Sequence, residues 1–401
     1  MEFQLSTYSW LQLKADNPTG HMTLCDSTLR DGEQAGVKYT LEEKMHLIRM
    51  MDEACIPEIQ MYSLRNERSI AEAEAVCAMK RSFSKIEVMS RATNPNWRTE
   101  IEGIVHIGAD ITHTLIPLSS YVRGAYGPAL DDDALMQRIV DVVTLADQLG
   151  SKAFNLSLLD TTRTPEMLLE RAVKTGADVG ADRICLADTV GCLSPKMMFS
   201  LVQRVRSWIP RTVKLRVHVH NDFGLATANA LAAAEAGADM IDTCINGMGK
   251  RAGNADMVQV MMGLKAFYGL ETGIREDKVY ALCREVEALS GVPIPTNTPF
   301  TGELVFADDS EYHIKGNEVN PFAFQAIDPE GWGNPRRILV GKNSGHYGMC
   351  AKLKQLGLDL PDEKSIEQLY HTCLERSSAL GRGKYLTDGM VKEIYETICG
   401  R

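Results

Sequence analysis

The chain has 401 residues, of which 44% are hydrophobic and 24% are charged, a composition typical of a globular protein. Its formal net charge is −10, which argues against binding to nucleic acid or to an anionic membrane. No run of about 18 apolar residues is present to span a membrane, and the N-terminal segment lacks the pattern of a secretory signal. The ten cysteines form no CxxC pair, which favours a reduced protein in the cytoplasm.

Short β-rich segments alternate with helix-like segments along the first two thirds of the chain. The predicted strands are 22–26, 56–62, 85–90, 110–116, 153–158, 183–187, 214–218 and 240–244. The predicted helices are 41–54, 69–81, 97–107, 131–149, 165–179, 195–208, 225–236 and 255–268. Eight strand–helix units in about 250 residues favour an α/β fold of the (β/α)8 TIM-barrel type. A doubly wound open sheet is the alternative, although it usually has fewer units and a glycine-rich first turn.

Prolines in the segment 291–302 mark a boundary after the predicted barrel. Beyond it, residues 303–345 are irregular, and helices are predicted at 347–356, 363–379 and 387–398. The predicted domains are an N-terminal arm (1–20), a TIM-barrel catalytic domain (21–290), a linker and loop-rich subdomain (291–345) and a mostly helical C-terminal subdomain (346–401). Because this tail has few apolar stripes, we expect it to pack on the barrel or on a partner subunit, which favours a homodimer.

The pair His218 and His220 stands at the end of the predicted strand 214–218. Residues two apart on a strand point the same way, and neutral imidazole is a common metal ligand. The reactive groups of TIM barrels also lie at the carboxyl ends of the strands. The pair therefore predicts a metal site, although two histidines in a hydrated loop would give the same short pattern.

A second polar loop, DSTLRDGEQ (26–34), follows the first predicted strand. It offers Asp31 as an oxygen ligand that could complete a site with the two histidines. Mixed nitrogen and oxygen ligands suit Zn²⁺, Mn²⁺ or a similar divalent ion. The alternative is an ordinary loop with surface charges.

A third loop, NGMGKRAGN (246–254), combines glycines with Lys250 and Arg251 after the last predicted strand. Asn254 could reach the metal, and the loop could contact an anionic group. A plain loop at the start of a helix is nearly as compatible with the pattern. Other polar residues that follow predicted strands are Arg91, Asp160, Arg163, Asp188 and Thr189.

Taken together, these segments resemble the DRE-TIM metallolyase superfamily, and within it the Claisen-type synthases of 2-isopropylmalate, homocitrate and citramalate. The matching segments are DSTLRDGEQ (26–34), LADTVG (186–191), HVHNDFGLATANALAAAEAGAD (218–239) and NGMGKRAGN (246–254). Tyr312, His313 and Gly316, followed by GKNSG (341–345), extend the resemblance into the tail. The resemblance therefore covers nearly the whole chain.

The resemblance implies that Asp31, His218 and His220 bind a divalent metal (Zn, Mn, Mg or Co), with Asn254 nearby. It also implies a condensation of acetyl-CoA with a 2-oxo acid, followed by hydrolysis of the thioester. The implied catalytic residues are Arg30, Asp31 and His313, the last reaching the barrel mouth of a partner subunit. The expected substrate contacts are Arg30, Gln34, Arg91, Arg163, Thr189 and Lys250.

Four positions depart from these synthases. Leu159 and Lys250 stand where glutamates are usual, so both replacements make the site more positive. Asp308 stands where relatives often have histidine, and Val122 where 2-isopropylmalate synthases have histidine. We therefore expect an oxo acid with an additional anionic group, such as oxaloacetate, 2-oxoglutarate or phosphonopyruvate, rather than ordinary 2-isopropylmalate synthesis.

Two other interpretations remain open at this point. One is a metal-dependent carbon–carbon lyase or aldolase of the same superfamily, which the synthase-like tail disfavours. The other is a non-enzymatic metal-binding or regulatory relative. The second is disfavoured because Arg30, Asp31, His218, His220 and His313 are all present.

Overall fold

The computed structural model of the protein describes residues 2–5, 15–61, 64, 66–124, 127–329, 331–381 and 383–400. The described residues form two compact units. One comprises the described residues between positions 15 and 293, and the other comprises residues 2–5 together with those from Ile294 onward. The predicted subdomains on either side of residue 345 are thus grouped into one unit. The predicted arm at positions 1 and 6–14, and the end of the predicted strand at Tyr62, lie outside the described residues.

Within the described residues, eight parallel strands close into a barrel, which confirms the predicted TIM barrel and excludes the open sheet. A short strand, β1 (Glu2–Phe3), precedes them in the chain. The barrel strands are β2 (Thr23–Asp26), β3 (Glu58–Met61), β4 (Lys85–Arg91), β5 (Ile111–Pro117), β6 (Phe154–Leu159), β7 (Arg183–Asp188), β8 (Lys214–Val219) and β9 (Met240–Thr243). Each pairs with the next, and β9 pairs with β2 to close the barrel.

A helix follows each barrel strand, as the alternating pattern predicts. These helices are α1 (Leu41–Glu53), α2 (Glu67–Cys77), α3 (Trp97–His106), α4 (Asp132–Gln148), α5 (Glu166–Asp178), α6 (Pro195–Arg206), α7 (Ala226–Glu235) and α8 (Met257–Gly263). Thr40 and Glu43 form the predicted capping box at the start of α1. Helix α2 begins earlier than predicted because the Asn66 side chain, rather than a later residue, caps it by accepting from the Ser69 amide.

One further helix of this unit, α9 (Glu276–Ser290), is absent from the sequence-based prediction. Its buried residues Val279, Leu282, Cys283 and Val286 recur at helical spacing. This pattern was available in the sequence, so the omission was an error of interpretation. The helix extends the described barrel unit to the proline-containing boundary.

Charged side chains, rather than apolar ones alone, fill part of the barrel interior. Arg216, with no exposed surface, contacts Asp242 at 2.6 Å, Glu87 at 2.7 Å and Glu58 at 3.3 Å. Arg183 provides a second cation for Glu58. These carboxylates come from β3, β4 and β9, so the ion pairs join strands that are distant in the chain.

The C-terminal unit has a separate hydrophobic core. Its elements are β10 (Ala307–Asp308), α10 (Glu311–Val319), β11 (Ile327–Asp328), β12 (Arg337–Ile338), α11 (Gly345–Gln355), α12 (Glu363–Ala379) and α13 (Asp388–Cys399). The three last helices confirm the prediction, whereas α10 lies in a segment predicted to be irregular. Because α10 buries only Ile314 and Asn317, its sequence carries little helical periodicity. No helix among the described residues is long and apolar enough to cross a membrane.

We expect Arg216→Met to lower the free energy of unfolding by about 3–5 kcal/mol, because three buried carboxylates lose their shared cation. Urea unfolding measures the change. The matched control is Arg204→Met, whose ion pair with Glu166 is largely exposed and contributes little to stability. Equal destabilisation of the two variants would contradict this account of the barrel interior.

Candidate active site

Three buried side chains, Asp31, His218 and His220, converge at the carboxyl ends of β2 and β8. The Oδ2 atom of Asp31 lies 3.5 Å from Nε2 of each histidine. The two Nε2 atoms are 3.3 Å apart. The structure thus brings together the three residues predicted as metal ligands, because the strand-end loops of a barrel meet at one mouth.

The geometry of this cluster fits one divalent ion. Separations of 3.3–3.5 Å are those of three ligand atoms around an ion at bond lengths of about 2.0–2.2 Å. Two imidazole nitrogens and one carboxylate oxygen suit Zn²⁺ or Mn²⁺. Asn254 donates its amide to Asp31 Oδ2 at 3.0 Å, and its buried Oδ1 has no hydrogen-bond partner within the described part of the chain. Metal ligation by Asn254 itself stays a prediction.

Electrostatics favour the protonation states that bind a metal. Burial and the neighbouring His218 lower the pKa of His220 to about 3, so its ring is neutral near pH 7. Burial would raise the pKa of Asp31, but Arg30, His218 and Lys250 together hold it well below its usual range. Both side chains are therefore deprotonated at neutral pH, as metal ligands must be.

Asp242 supports His218 from the barrel side, a role that the sequence analysis missed. Its Oδ2 lies 3.0 Å from His218 Nδ1. Its Oδ1 accepts hydrogen bonds from Arg216 and from Gln60. Burial by itself would raise the pKa of Asp242, but Arg216 and His218 together outweigh it and lower the pKa to about 2. A carboxylate within the largely apolar strand 240–244 was the available signal, since a buried charge requires a partner.

A small cavity of about 60 Å³ opens beside the three candidate ligands. Its lining includes five of the predicted substrate contacts: Arg30, Gln34, Arg91, Thr189 and Lys250. Leu159 also lines it, so the position that carries glutamate in the synthases presents an apolar side chain here. Arg251, which was not predicted as a substrate contact, adds a further cation.

Lys250 lies directly against a candidate metal ligand, with its Nζ 3.1 Å from Asp31 Oδ1. The backbone of its loop depends on glycine. Gly249 has φ +156°, and a Cβ there would meet Asn254 Nδ2 at 2.1 Å. A larger residue at position 249 would therefore displace the side chain that donates to Asp31.

Two other cations of the cavity have carboxylate partners. Arg91 pairs with Glu100 at 3.0 Å, and Arg251 pairs with Asp222 at 2.7 Å. The hydroxyl oxygen of Thr189 accepts from the Asp160 amide at 2.9 Å, so its proton is available to another acceptor. These residues can bind a ligand without carrying an uncompensated charge.

Two predicted site residues are placed elsewhere. Arg163 does not line the cavity; its Nε donates to the buried carboxylate of Asp160 at 2.9 Å, and its guanidinium stacks on Tyr121. His313 lies on α10 of the C-terminal unit, half exposed, with Nδ1 3.5 Å from Asp308 Oδ1. The proton-transfer role of His313 stays a prediction. Val122 lies in the turn after β5 and is not among the described residues that line the cavity.

The comparisons with known proteins identify the family of the chain. Residues 21–286 match the HMGL-like family model. Homocitrate synthase AksA of Methanopyrus kandleri is 34% identical over 377 residues, which cover 93% of this chain and 91% of that protein. The 2-isopropylmalate synthase of Methanocaldococcus jannaschii is 34% identical, covering 94% and 71%. The (R)-citramalate synthase CimA of the same organism is 32% identical, covering 94% and 74%.

Solved structures share the fold at low sequence identity. An HMG-CoA lyase from Acenitobacter baumannii, in complex with coenzyme A and 3-methylmalate, has a TM-score of 0.60 and 22% identity, covering 70% of this chain and 94% of that one. The hydroxymethylglutaryl-CoA lyase of Pseudomonas aeruginosa has a TM-score of 0.61 and 16% identity, covering 71% and 97%. At these identities the likeness shows the fold alone.

A TIM barrel with two histidines and one aspartate converging at its mouth defines the class of protein: a barrel with a candidate metal site. The chain belongs to the HMGL-like family, as the DRE-TIM resemblance predicts. Its curated relatives are synthases, and the predicted enzyme class, an acyltransferase, is confirmed.

We expect His220→Ala to weaken the binding of Mn²⁺ or Zn²⁺ at least about a hundredfold, because one of three converging ligands is lost. Competition with a chromophoric chelator measures the dissociation constant. His46→Ala is the control, because His46 is half exposed and contacts Glu285 outside the cluster. Unchanged metal affinity in His220→Ala would show that this cluster is not the metal site.

Proposed function

We propose that the protein catalyses a divalent-metal-dependent Claisen condensation of acetyl-CoA with a 2-oxo acid that carries a second anionic group. The acetyl methyl group would lose a proton, and its carbon would form a bond to the keto carbon of the oxo acid. The keto oxygen would become an alkoxide and take up a proton, and water would then cleave the thioester, releasing CoA and leaving a 2-hydroxy acid with three acidic groups. The names of the relatives, which are citramalate, homocitrate and 2-isopropylmalate synthases, support the reaction class.

The charge of the cavity is the observation that carries the choice of substrate. Arg91 and Arg251 each pair with a carboxylate, and Asp242 shares Arg216 with Glu58 and Glu87. Of the remaining cations, Lys250 pairs with Asp31, and Arg30 forms no ion pair with a carboxylate in the described part of the chain. A divalent ion at the cluster would add two positive charges, so the single carboxylate of a simple oxo acid would leave an excess. A second anionic group on the substrate would offset it.

The residues suggest a division of roles around the keto group. A bound divalent ion acts as a Lewis acid that polarises a carbonyl. Arg30, largely buried beside His218, would stabilise negative charge that develops on the reacting oxygen. Lys250 would receive the second anionic group, and the free hydroxyl proton of Thr189 would bind the substrate carboxylate.

Position 159 supports the same substrate class. A glutamate there would bring a carboxylate to the cavity and repel an anionic substituent, whereas Leu159 does not. His313 is retained as the candidate proton-transfer group. The expected homodimer and the cytoplasmic location also remain parts of this proposal.

A panel of 2-oxo acids tests the proposal through the release of free thiol from acetyl-CoA. We expect kcat/KM for oxaloacetate, 2-oxoglutarate or phosphonopyruvate to exceed that for 2-oxoisovalerate at least tenfold, because a second anion is bound. A chelator should abolish the activity and added Mn²⁺ should restore it. A preference for 2-oxoisovalerate would overturn the substrate class. Cleavage of a 3-hydroxy acyl-CoA without any condensation would favour the lyase alternative.

Lys250→Glu should raise the KM of the preferred dianionic oxo acid at least tenfold, because attraction becomes repulsion. Lys250→Met should give an intermediate value. Lys278→Glu makes the same charge change at an exposed position of α9 and should leave the KM unchanged. If both glutamate variants behave alike, Lys250 does not bind the substrate.

A further inference from the structure

Gln60, a fully buried residue of β3, links two functional side chains that the chain separates widely. Its Oε1 accepts from Arg30 Nε at 2.5 Å. Its Nε2 donates to Asp242 Oδ1 at 3.0 Å. The Gln60 amide therefore contacts both Arg30, a cation of the cavity, and Asp242, the carboxylate that supports His218. Gln60 is not among the residues that the sequence predicts as part of the site.

The partners of Arg30 are unusual for a buried cation. Only 6% of Arg30 is exposed, and its other neighbours are Ser27 Oγ at 3.5 Å and His218 Nδ1 at 3.4 Å. No carboxylate forms an ion pair with it in the described part of the chain. The positive charge of Arg30 acts on Asp31, which a bound metal would engage. Burying a guanidinium without a carboxylate partner is unfavourable, so this arrangement indicates a ligand that supplies the missing charge.

We propose that Gln60 acts through Arg30: as a neutral hydrogen-bond acceptor, it leaves Arg30 as an unneutralised cation for the oxo acid. A glutamate at this position could also accept from Arg30, but it would neutralise the guanidinium. It would also place a second carboxylate beside Asp242. An amide is the side chain of this length that can accept from Arg30 and donate to Asp242 at the same time.

The consequence is a charge that acts strongly on the ligand. Arg30 lines the cavity, and its surroundings are largely shielded from water. A cation in such a place attracts an anionic oxygen more strongly than one at the surface does. The inference deepens the proposed function, since it relies on the oxo acid as the ligand of Arg30.

The experiment compares Gln60→Glu with Gln60→Met, because methionine removes the hydrogen bonds without adding charge. Oxalate, a dianion that chelates metals as a 2-oxo acid does, is titrated calorimetrically into the Mn²⁺-loaded protein at about pH 8, where a carboxyl group is ionised. We expect Gln60→Glu to weaken oxalate binding at least tenfold and Gln60→Met less than threefold. Gln259→Glu is the control, since Gln259 lies in the first turn of α8 outside the cavity, where an acid is well tolerated.

The affinity for Mn²⁺ alone and the kinetic constants separate the charge effect from other causes. Both Gln60 variants should keep the Mn²⁺ dissociation constant within about fivefold, because Arg216 still holds Asp242. In the thiol-release assay, Gln60→Glu should raise the KM of the oxo acid but not that of acetyl-CoA.

Equal loss of oxalate binding in the two variants, or normal binding in Gln60→Glu, would overturn the inference. If Gln60→Glu does not fold, a loss of more than tenfold in Gln60→Met would overturn it alone. A wild-type protein that condenses no oxo acid with a second anionic group would refute the proposed substrate, while oxalate binding would still test Gln60.

Discussion

The ion pairs of the buried Arg216 guanidinium are the contacts on which both the barrel interior and the site depend. It joins carboxylates from three strands, and one of them, Asp242, continues the network to His218. The imidazole of His218, which faces the cavity, is therefore fixed on its barrel side by charges that cannot move without disturbing the barrel. A buried ion pair contributes little net stability, but it restricts the number of arrangements that satisfy every charge. In this protein the restriction extends through Asp242 to His218, one of the candidate metal ligands.

The polar groups in and near the barrel mouth fall into two sets, which differ in how completely they are paired within the protein. Arg216, Asp242 and Gln60 have charge or hydrogen-bond partners within the protein. Arg30 and Lys250 are satisfied only in part, and both line the cavity. Incomplete satisfaction is unfavourable in a folded chain unless a ligand completes it. This contrast distinguishes the groups that hold the site from those that would bind the substrate.

Much of the barrel could be predicted because its signals are local. Strand and helix alternation, the capping box at Thr40 and the three last helices are properties of short segments. Helix α9 was predictable but overlooked, whereas α10 lacks the periodicity that would reveal it. The convergence of Asp31, His218 and His220 was also predictable. Two histidines two residues apart on one strand point the same way, and the loops of a barrel share one mouth.

The sequence by itself determined the fold class, the family and the three converging ligands, since each is written in contiguous motifs. Only the tertiary structure decided which polar groups lie beside those ligands. Asp242 and Gln60 belong to strands that the chain separates by about 180 residues, and nothing local indicates that they meet. It also placed Arg163 on Asp160 instead of in the cavity, because a buried carboxylate takes the nearest available cation. Such pairings depend on barrel closure, which brings distant strands together and is invisible to any local pattern.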